Sequence, residues 1–386
     1  MSHYMELEDR FSIGVYPKRP IVLVKGEGAQ VWDEHGREYI DCVSGNGVAN
    51  IGHGNEAVIE AITHQARQLI TCPGIFYNDT RARLLEKLVA ITPKNLTRAF
   101  LCNSGAESIE AAIKFARFTT QKTEIICAMR SFHGRSFGAL SATHNPKYRD
   151  GFGPLVPGFH HVPFNRFKKL EEKVRDQTAA VLLEIVQGEG GVHIGSASYF
   201  KKVQELCREK GILLIIDEVQ TGFCRTGRMF ACEHFDLQPD LLCVAKAMAG
   251  GLPMGAVLCS ERIQLPVGAH GSTFGGNPLV CAAALAAIDF MLVHKLDQQA
   301  SEKGAYLVNR LQQQHLRLIR EIRHLGLMIG IELRTRVKPF ILKLLEAGVL
   351  VLPAGRTVLR LLPPITISHQ ELDKVAEALI QVLGKG

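Results

Sequence analysis

Short apolar runs alternate with helical spacings along most of the chain, and two of those runs organise the rest. Residues 211–216 (GILLII) are opened by glycine and closed by Asp217-Glu218, the pattern of a strand buried on both faces of a parallel sheet. Asp217 then stands at that strand's carboxyl edge. Residues 241–245 (LLCVA) are a second such run, entered through Gln238-Pro239-Asp240, and Lys246 is its first charged residue before Ala249-Gly250-Gly251. Lys246 reaches an edge as well. Ligands of open α/β sheets collect at the carboxyl ends of the strands, so a carboxylate and an amine there point to a site that uses both.

The rest of the chain supplies the frame. Residues 1–50 read as a meander of short strands (22–24, 31–33, 39–41) with turns at Gly26-Glu27-Gly28 and Glu34-His35-Gly36. After residues 52–55 the apolar positions take helical spacing, at Val58, Ile62, Ala66 and Leu69 and again over 84–91. Alternating units follow, with strands expected at 99–102, 124–129 and 179–186 and helices at 109–116 and 199–210. The strand ends carry Asn103-Ser104-Gly105-Ala106-Glu107, then Phe132-His133-Gly134-Arg135, then Glu184 and Gln187-Gly188-Glu189-Gly190-Gly191. Ser104 and Glu107 have capping-box spacing, and free amides at a helix N-terminus make a cup for phosphate. An ordinary helix cap uses the same residues. Residues 271–278 (GSTFGGNP), ahead of the strongly helical 279–293, are a second candidate cup. Beyond it, helices (298–314, 338–347, 370–383) alternate with strands (328–333, 349–352, 358–362) in a second, smaller α+β domain, whose boundary is expected within the helix after Asn277.

Composition narrows the classes. A chain of 386 residues, 46% of them hydrophobic, builds large cores, and no apolar run approaches the ~18 residues of a membrane span. The start, MSHYMELEDR, is too polar for a signal peptide, so a cytoplasmic protein without membrane contact is expected. The ten cysteines include no C-x-x-C pair and sit mostly inside apolar runs, which argues for buried thiols and against a metal centre. A net charge of +7 favours an anionic ligand or partner. Nucleic acid is not expected, because the basic residues interleave with acids, as in RFKKLEEKVR (166–175).

Pyridoxal phosphate chemistry needs the Lys246 and Asp217 pair. A lysine holds the aldehyde as a Schiff base, and a carboxylate keeps the ring nitrogen protonated so that the ring takes up carbanion electrons. The structural alternative is a lysine extending past a strand end to water while Asp217 caps a turn. A nicotinamide-binding reading lacks its G-x-G-x-x-G after the first strand.

The motifs NSGAESIEAAIKFAR, FHGR, EIVQGEGG, LLIIDEVQTGFCRTGR, PDLLCVAKAMAGGLPMGA, HGSTFGGNPL, GLMIGIEL and VLRLLPP, in this order, resemble the class III, acetylornithine-type aminotransferases over nearly the whole chain. The resemblance implies a fold-type I α/β protein. Its large domain (53–280) would carry a mostly parallel seven-stranded sheet holding pyridoxal 5′-phosphate, and both termini (1–52 and 281–386) would form the smaller domain. It implies that Lys246 links to the cofactor and shuttles a proton, that Asp217 bonds the ring nitrogen, and that Gln220 reaches the phenolic oxygen. Val219 and Phe132 would pack the two ring faces. Ser104, Gly105 and Ala106 would hold the phosphate with Thr273 of a neighbouring subunit, which makes the site a property of a homodimer. Arg135 would bind a substrate α-carboxylate through a bidentate fork, with Tyr16, Glu184 and Ser272 also on the substrate side. Glu189 and Arg360 resemble the family's switch pair: joined, they hide the arginine from an amine donor; parted, Arg360 clamps a carboxylate of glutamate or 2-oxoglutarate.

Within the family, GVYPKR (14–19), YIDCVSGNGVANIGHG (39–54) and VLVLPAGRTVLRLLPP (349–364) are most similar to aminotransferases acting on lysine linked to an acidic carrier protein. Asn46 departs from the pattern, since relatives usually place tyrosine or an apolar residue there. The implied activity transfers the terminal amine of an N-blocked ornithine or lysine to 2-oxoglutarate, in arginine or lysine biosynthesis. Ornithine or 4-aminobutyrate aminotransferase, or a glutamate-1-semialdehyde-type aminomutase, are the alternatives; a mutase needs no 2-oxoglutarate.

Overall fold

The protein is described by a computed structural model over residues 2–384. The N-terminal meander forms, with β1 (Leu23–Glu27), β2 (Gln30–Asp33) and β3 (Glu38–Asp41) paired antiparallel in turn. There follow β4 (Leu96–Cys102), β5 (Glu124–Ala128), β6 (Phe159–Val162) and β7 (Thr178–Glu184). A short hairpin of β8 (Val186–Gln187) and β9 (His193–Ile194) precedes β10 (Leu213–Asp217), β11 (Leu241–Val244) and β12 (Gly255–Ser260). The C-terminal part holds β13 (Ile319–Leu325), β14 (Met328–Leu333), β15 (Val349–Leu350), β16 (Leu352–Ala354) and β17 (Val358–Leu361).

Seven strands form one sheet in the order β4-β12-β11-β10-β7-β5-β6, and the fold is α/β. It is mostly parallel, because only β12 runs against its neighbours β11 and β4. The apolar run at β10 explains its central place. Leu214 and Ile216 pack into one core with Tyr199, Phe200 and Val203 of the helix Ala197–Lys210. Leu213 and Ile215 pack into another with Ile109, Ala112 and Ile113 of the helix Gly105–Thr120. All four are buried, and burying each such side chain contributes about 1.5–3 kcal/mol. A polar substitution at any of them would open one of two cores.

The strand directions place the carboxyl ends of β4, β5, β6, β7, β10 and β11 on one edge. Every motif singled out between residues 103 and 246 leaves from that edge. Two smaller sheets complete the molecule. β15 pairs parallel with β3, which ties the first fifty residues to the C-terminal part, and β13-β14-β17-β16 form an antiparallel sheet. The helix Pro278–Val293 packs against the helices Glu56–Ala66 and Asp79–Ile91.

Four strands were not read from the sequence, the two-residue β9 among them. β6 (FHHV) carries two histidines after Pro157-Gly158, β12 (GAVLCS) directly follows a glycine-rich stretch, and β13 (IREIRHL) alternates charges on a partly exposed strand. Among the described residues, no single helix is long and apolar enough to cross a membrane, and no group of three acidic, histidine or cysteine residues could hold a metal ion. All ten cysteines are free, and nine are buried.

Candidate active site

Parallel register sets Asp217 beside Glu184 on β7 and Cys243 on β11, so Lys246 lies just beyond the same edge. Asp217 is buried and held at both oxygens. His133 Nδ1 lies 2.7 Å from its Oδ2, and the Val219 amide donates to its Oδ1 at 3.0 Å. Sequence reading quoted His133 within FHGR without assigning it, since no spacing relates residue 133 to residue 217. The imidazole is buried, and its Nε2 has no partner among the described residues. A bare Nε2 costs less there than an unsatisfied N–H, which favours the tautomer that donates from Nδ1 to Asp217.

Lys246 is half-buried, and its amine makes no hydrogen bond or ion pair among the described residues. Desolvation lowers its pKa from the ordinary lysine value, while Asp217 and Glu189 act in the opposite direction, Arg360 adds to the lowering, and Glu184 opposes it. All four charged groups therefore bear on one amine. Burial, followed by the neighbouring Asp217 charge, raises the Glu184 carboxyl well above the usual carboxylate range, although the Phe132 amide donates to it at 3.2 Å.

The phosphate cup forms at the helix Gly105–Thr120, with one change from expectation. Ser104 Oγ accepts from the Glu107 amide at 3.1 Å, but the Glu107 carboxylate accepts from the Asn103 amide at 3.0 Å, not from that of Ser104. The capping box is thus shifted by one residue because the Asn103 side chain also donates to Glu107, at 2.8 Å. No hydrogen bond among the described residues engages the Gly105 or Ala106 amide. A Cβ at Gly105 would lie 2.5 Å from Val219 Cγ1, so only glycine lets this turn approach Val219 so closely. At the second cup, Ser272 Oγ accepts from Asn103 Nδ2 at 3.1 Å, tying the loop to the first cup, while Asn277 caps the following helix at Val280. Thr273 is exposed.

The substrate side holds two arginines in opposite conditions. Arg360, on β17, is 1% exposed; its Nη2 lies 2.6 Å from Glu189 Oε1 and its Nη1 donates to Gln220 Oε1 at 3.1 Å. A Cβ at Gly188 would lie 2.0 Å from that Gln220 oxygen, so the Glu189 loop passes close only because residue 188 is glycine. Arg135 is exposed and forms no ion pair among the described residues. Its guanidinium sits 5.3 Å over the ring of Tyr148, which meets Phe132 edge-on at 5.2 Å. Sequence reading did not single out Tyr148. Its hydroxyl pKa is raised, by burial first and by Glu189 next, and lowered by Arg135 and Arg360, so it stands among all three substrate-side charges. Tyr16 is 69% exposed on the N-terminal segment, apart from these contacts. Asn46 is exposed and has a φ of 66°, a left-handed conformation that asparagine adopts more readily than tyrosine or a β-branched residue.

An amine freed of partners, a buried carboxylate bonded at both oxygens, and open amides at a helix N-terminus are the donor set that pyridoxal phosphate requires, and this α/β edge defines a lysine-based cofactor enzyme. Residues 14–383 match the family model described as aminotransferase class-III. The chain belongs to the class III aminotransferases and is a pyridoxal-phosphate-dependent aminotransferase. It is 47% identical to the [LysW]-aminoadipate semialdehyde transaminase of Deinococcus radiodurans, over 99% of this chain and 90% of that protein. It is 45% identical to the acetylornithine aminotransferase of Methanocaldococcus jannaschii, over 98% of each. Among solved structures, an ornithine aminotransferase from Toxoplasma gondii superimposes with a TM-score of 0.95 at 33% identity, covering 99% of this chain and 94% of that one.

Proposed function

We propose that the enzyme moves the terminal amino group of an N-blocked ornithine or lysine to 2-oxoglutarate, giving the semialdehyde and glutamate. The observation that carries this is the pair of arginines: one open to a carboxylate, the other buried and covered by Glu189. An ω-amine donor presents its far carboxylate to Arg135 and needs Arg360 covered. Glutamate and 2-oxoglutarate present a carboxylate beside the reacting carbon and need Arg360 free.

Bound pyridoxal phosphate supplies an aldehyde for Lys246 and a protonated ring that accepts the electrons of the substrate's broken C–H bond. Lys246 Nζ, whose pKa desolvation lowers, takes the proton from substrate carbon and returns it. Asp217, positioned by His133, holds the negative charge opposite the ring nitrogen. Gln220 turns its amide oxygen to Arg360, which leaves its NH2 for the phenolic oxygen. Gly105 and Ala106 offer their amides to the phosphate, Val219 and Phe132 flank the ring, and Ser104 and Ser272 hold the cup in shape. Thr273 completes it from a second copy of the chain, which suits its exposed position here. Glu184, whose carboxyl burial raises well above the usual carboxylate range, stands beside Asp217 on the substrate side.

The blocking group is a carrier protein or an acetyl group, and the +7 charge suits an acidic carrier. Rates with acetylornithine and with carrier-linked lysine, measured at several salt concentrations, test the reading. A carrier-linked rate that falls with salt, beside an acetylornithine rate that does not, is the expected result for a carrier substrate. Transfer from free ornithine or 4-aminobutyrate but from neither blocked amine would overturn the assignment.

A further inference from the structure

The loop that carries Glu189 is gripped from two sides, and the second grip lies outside the machinery described so far. Across the C-terminal sheet, Arg323 of β13 pairs with Gly330 of β14, and Gly330 pairs with Arg360 of β17. The three residues form one cross-strand row, with a glycine between two arginines. Directly paired residues share a face of the sheet, so both guanidinium groups flank the gap that Gly330 leaves. Val192, which closes the loop, fills the gap: a Cβ at Gly330 would lie 2.7 Å from Val192 Cβ.

Each arginine holds the loop by a different atom. Arg360 takes the Glu189 carboxylate at 2.6 Å. Arg323 donates twice to the Gly191 carbonyl, from Nε at 3.2 Å and Nη2 at 2.9 Å. Its remaining Nη1 is fixed by Glu332 at 2.6 Å and by Glu321. The Arg323 side chain is only 10% exposed, and Glu332 lies on β14 two residues beyond Gly330. The loop's own bonds are few, chiefly the Val192 amide to Gln187 O at 2.8 Å and the Gly191 amide to Gly188 O at 3.4 Å. Three of its residues are glycine, so little within the loop fixes where Glu189 sits.

We propose that Arg323, anchored by Glu332, is a positioning residue for the Glu189–Arg360 pair: by holding the Gly191 carbonyl it sets how readily Glu189 lets go of Arg360, and with it the enzyme's choice between ω-amine and glutamate. This rests on the donor-switching role given to Glu189 above. A guanidinium with two bonds to one carbonyl restrains the loop's hinge but leaves the carboxylate free to swing. Weakening it favours states in which Arg360 is uncovered, the same direction as removing the Glu189 charge and smaller in size.

The test compares R323Q, R323K and E332Q with E189Q in the cofactor-loaded enzyme, measuring single-turnover rates with glutamate and with acetylornithine. R323Q is expected to raise the ratio of the glutamate rate to the acetylornithine rate by about threefold, as expected for loss of charge-assisted bonds at one remove from the site. R323K and E332Q fall between R323Q and the unmodified enzyme, and R323Q/E189Q shows no shift beyond that of E189Q alone. In cofactor-free protein, amide exchange at residues 188–192 quickens in R323Q while that of β10 is unchanged. If E189Q shifts the ratio and neither R323Q nor R323K does, the positioning role is wrong. Equal slowing of both half-reactions by E189Q would instead remove the switch reading, and unchanged exchange at 188–192 would then remove the clamp too. Should R323Q fail to fold, R323K and E332Q decide by the same two readouts.

Discussion

Neutralising Glu189 tests the two-arginine reading most directly. In Glu189→Gln the side chain keeps its length and one acceptor oxygen, so Arg360 keeps a hydrogen bond and loses only the opposing charge. The bond that remains is still made by the charged Arg360, so what is lost is the attraction of the opposing charge, roughly 1–2 kcal/mol. The lower half of that range applies, because the Glu189 side chain is 27% exposed and water screens part of the pair. Arg360 is fully enclosed and cannot find water as a substitute partner, so it stays poised for an incoming carboxylate. The glutamate half-reaction should gain on the ω-amine half-reaction by about fivefold, and at most about thirteenfold. Stopped-flow absorbance under single-turnover conditions reads the two half-reactions separately. Equal slowing of both would show that the pair is a structural salt bridge and that Arg360 does not choose between donors.

Three other outcomes follow from the structure. Lys246→Ala should abolish turnover and the visible absorbance of the lysine-linked cofactor, and an unchanged spectrum would show that another group holds it; the unmodified enzyme should sediment as twice the chain mass, since the role proposed for Thr273 requires a second copy, and an active monomer would refute that role. Burial raises the Glu218 pKa to about 7, against bonds from Thr221 and Cys232 that favour the charged form. The folded state therefore keeps a proton that the unfolded state releases between about pH 4.5 and 7, and this contribution is lost as pH rises through that window. Glu218→Gln should remove a tilt of up to about 3 kcal/mol, seen as a melting temperature that gains on the unmodified enzyme from pH 5 to pH 7; a constant difference across that range would refute it.

Legibility followed the range of the physical signal. Asp217 and Lys246 could be read because each ends an apolar run, and burial on both faces leaves strands such as β7 and β10 no other pattern. The turn at residues 103–107 was legible as a cap because capping is local, and only the reciprocal bond departs, since Glu107 accepts from the Asn103 amide and side chain. His133, Tyr148 and Arg323 left no such mark. Each acts across the fold, on Asp217, on Arg135 and on Gly191, and neither composition nor period encodes a partner that far away in sequence.

Gly330 shows how a residue with no chemistry of its own joins the two levels. In GLMIGIEL it reads as one glycine inside an apolar strand, a position where glycine weakens a strand unless something must come close. What comes close is Val192, and with it the whole loop that delivers Glu189 to Arg360. An alanine there would push on Val192 from 2.7 Å, and through it on the loop that carries Glu189. The proposed switch would then be built from a loop too rich in glycine to hold itself, a strand position too small to keep the loop away, and two arginines on either side of it.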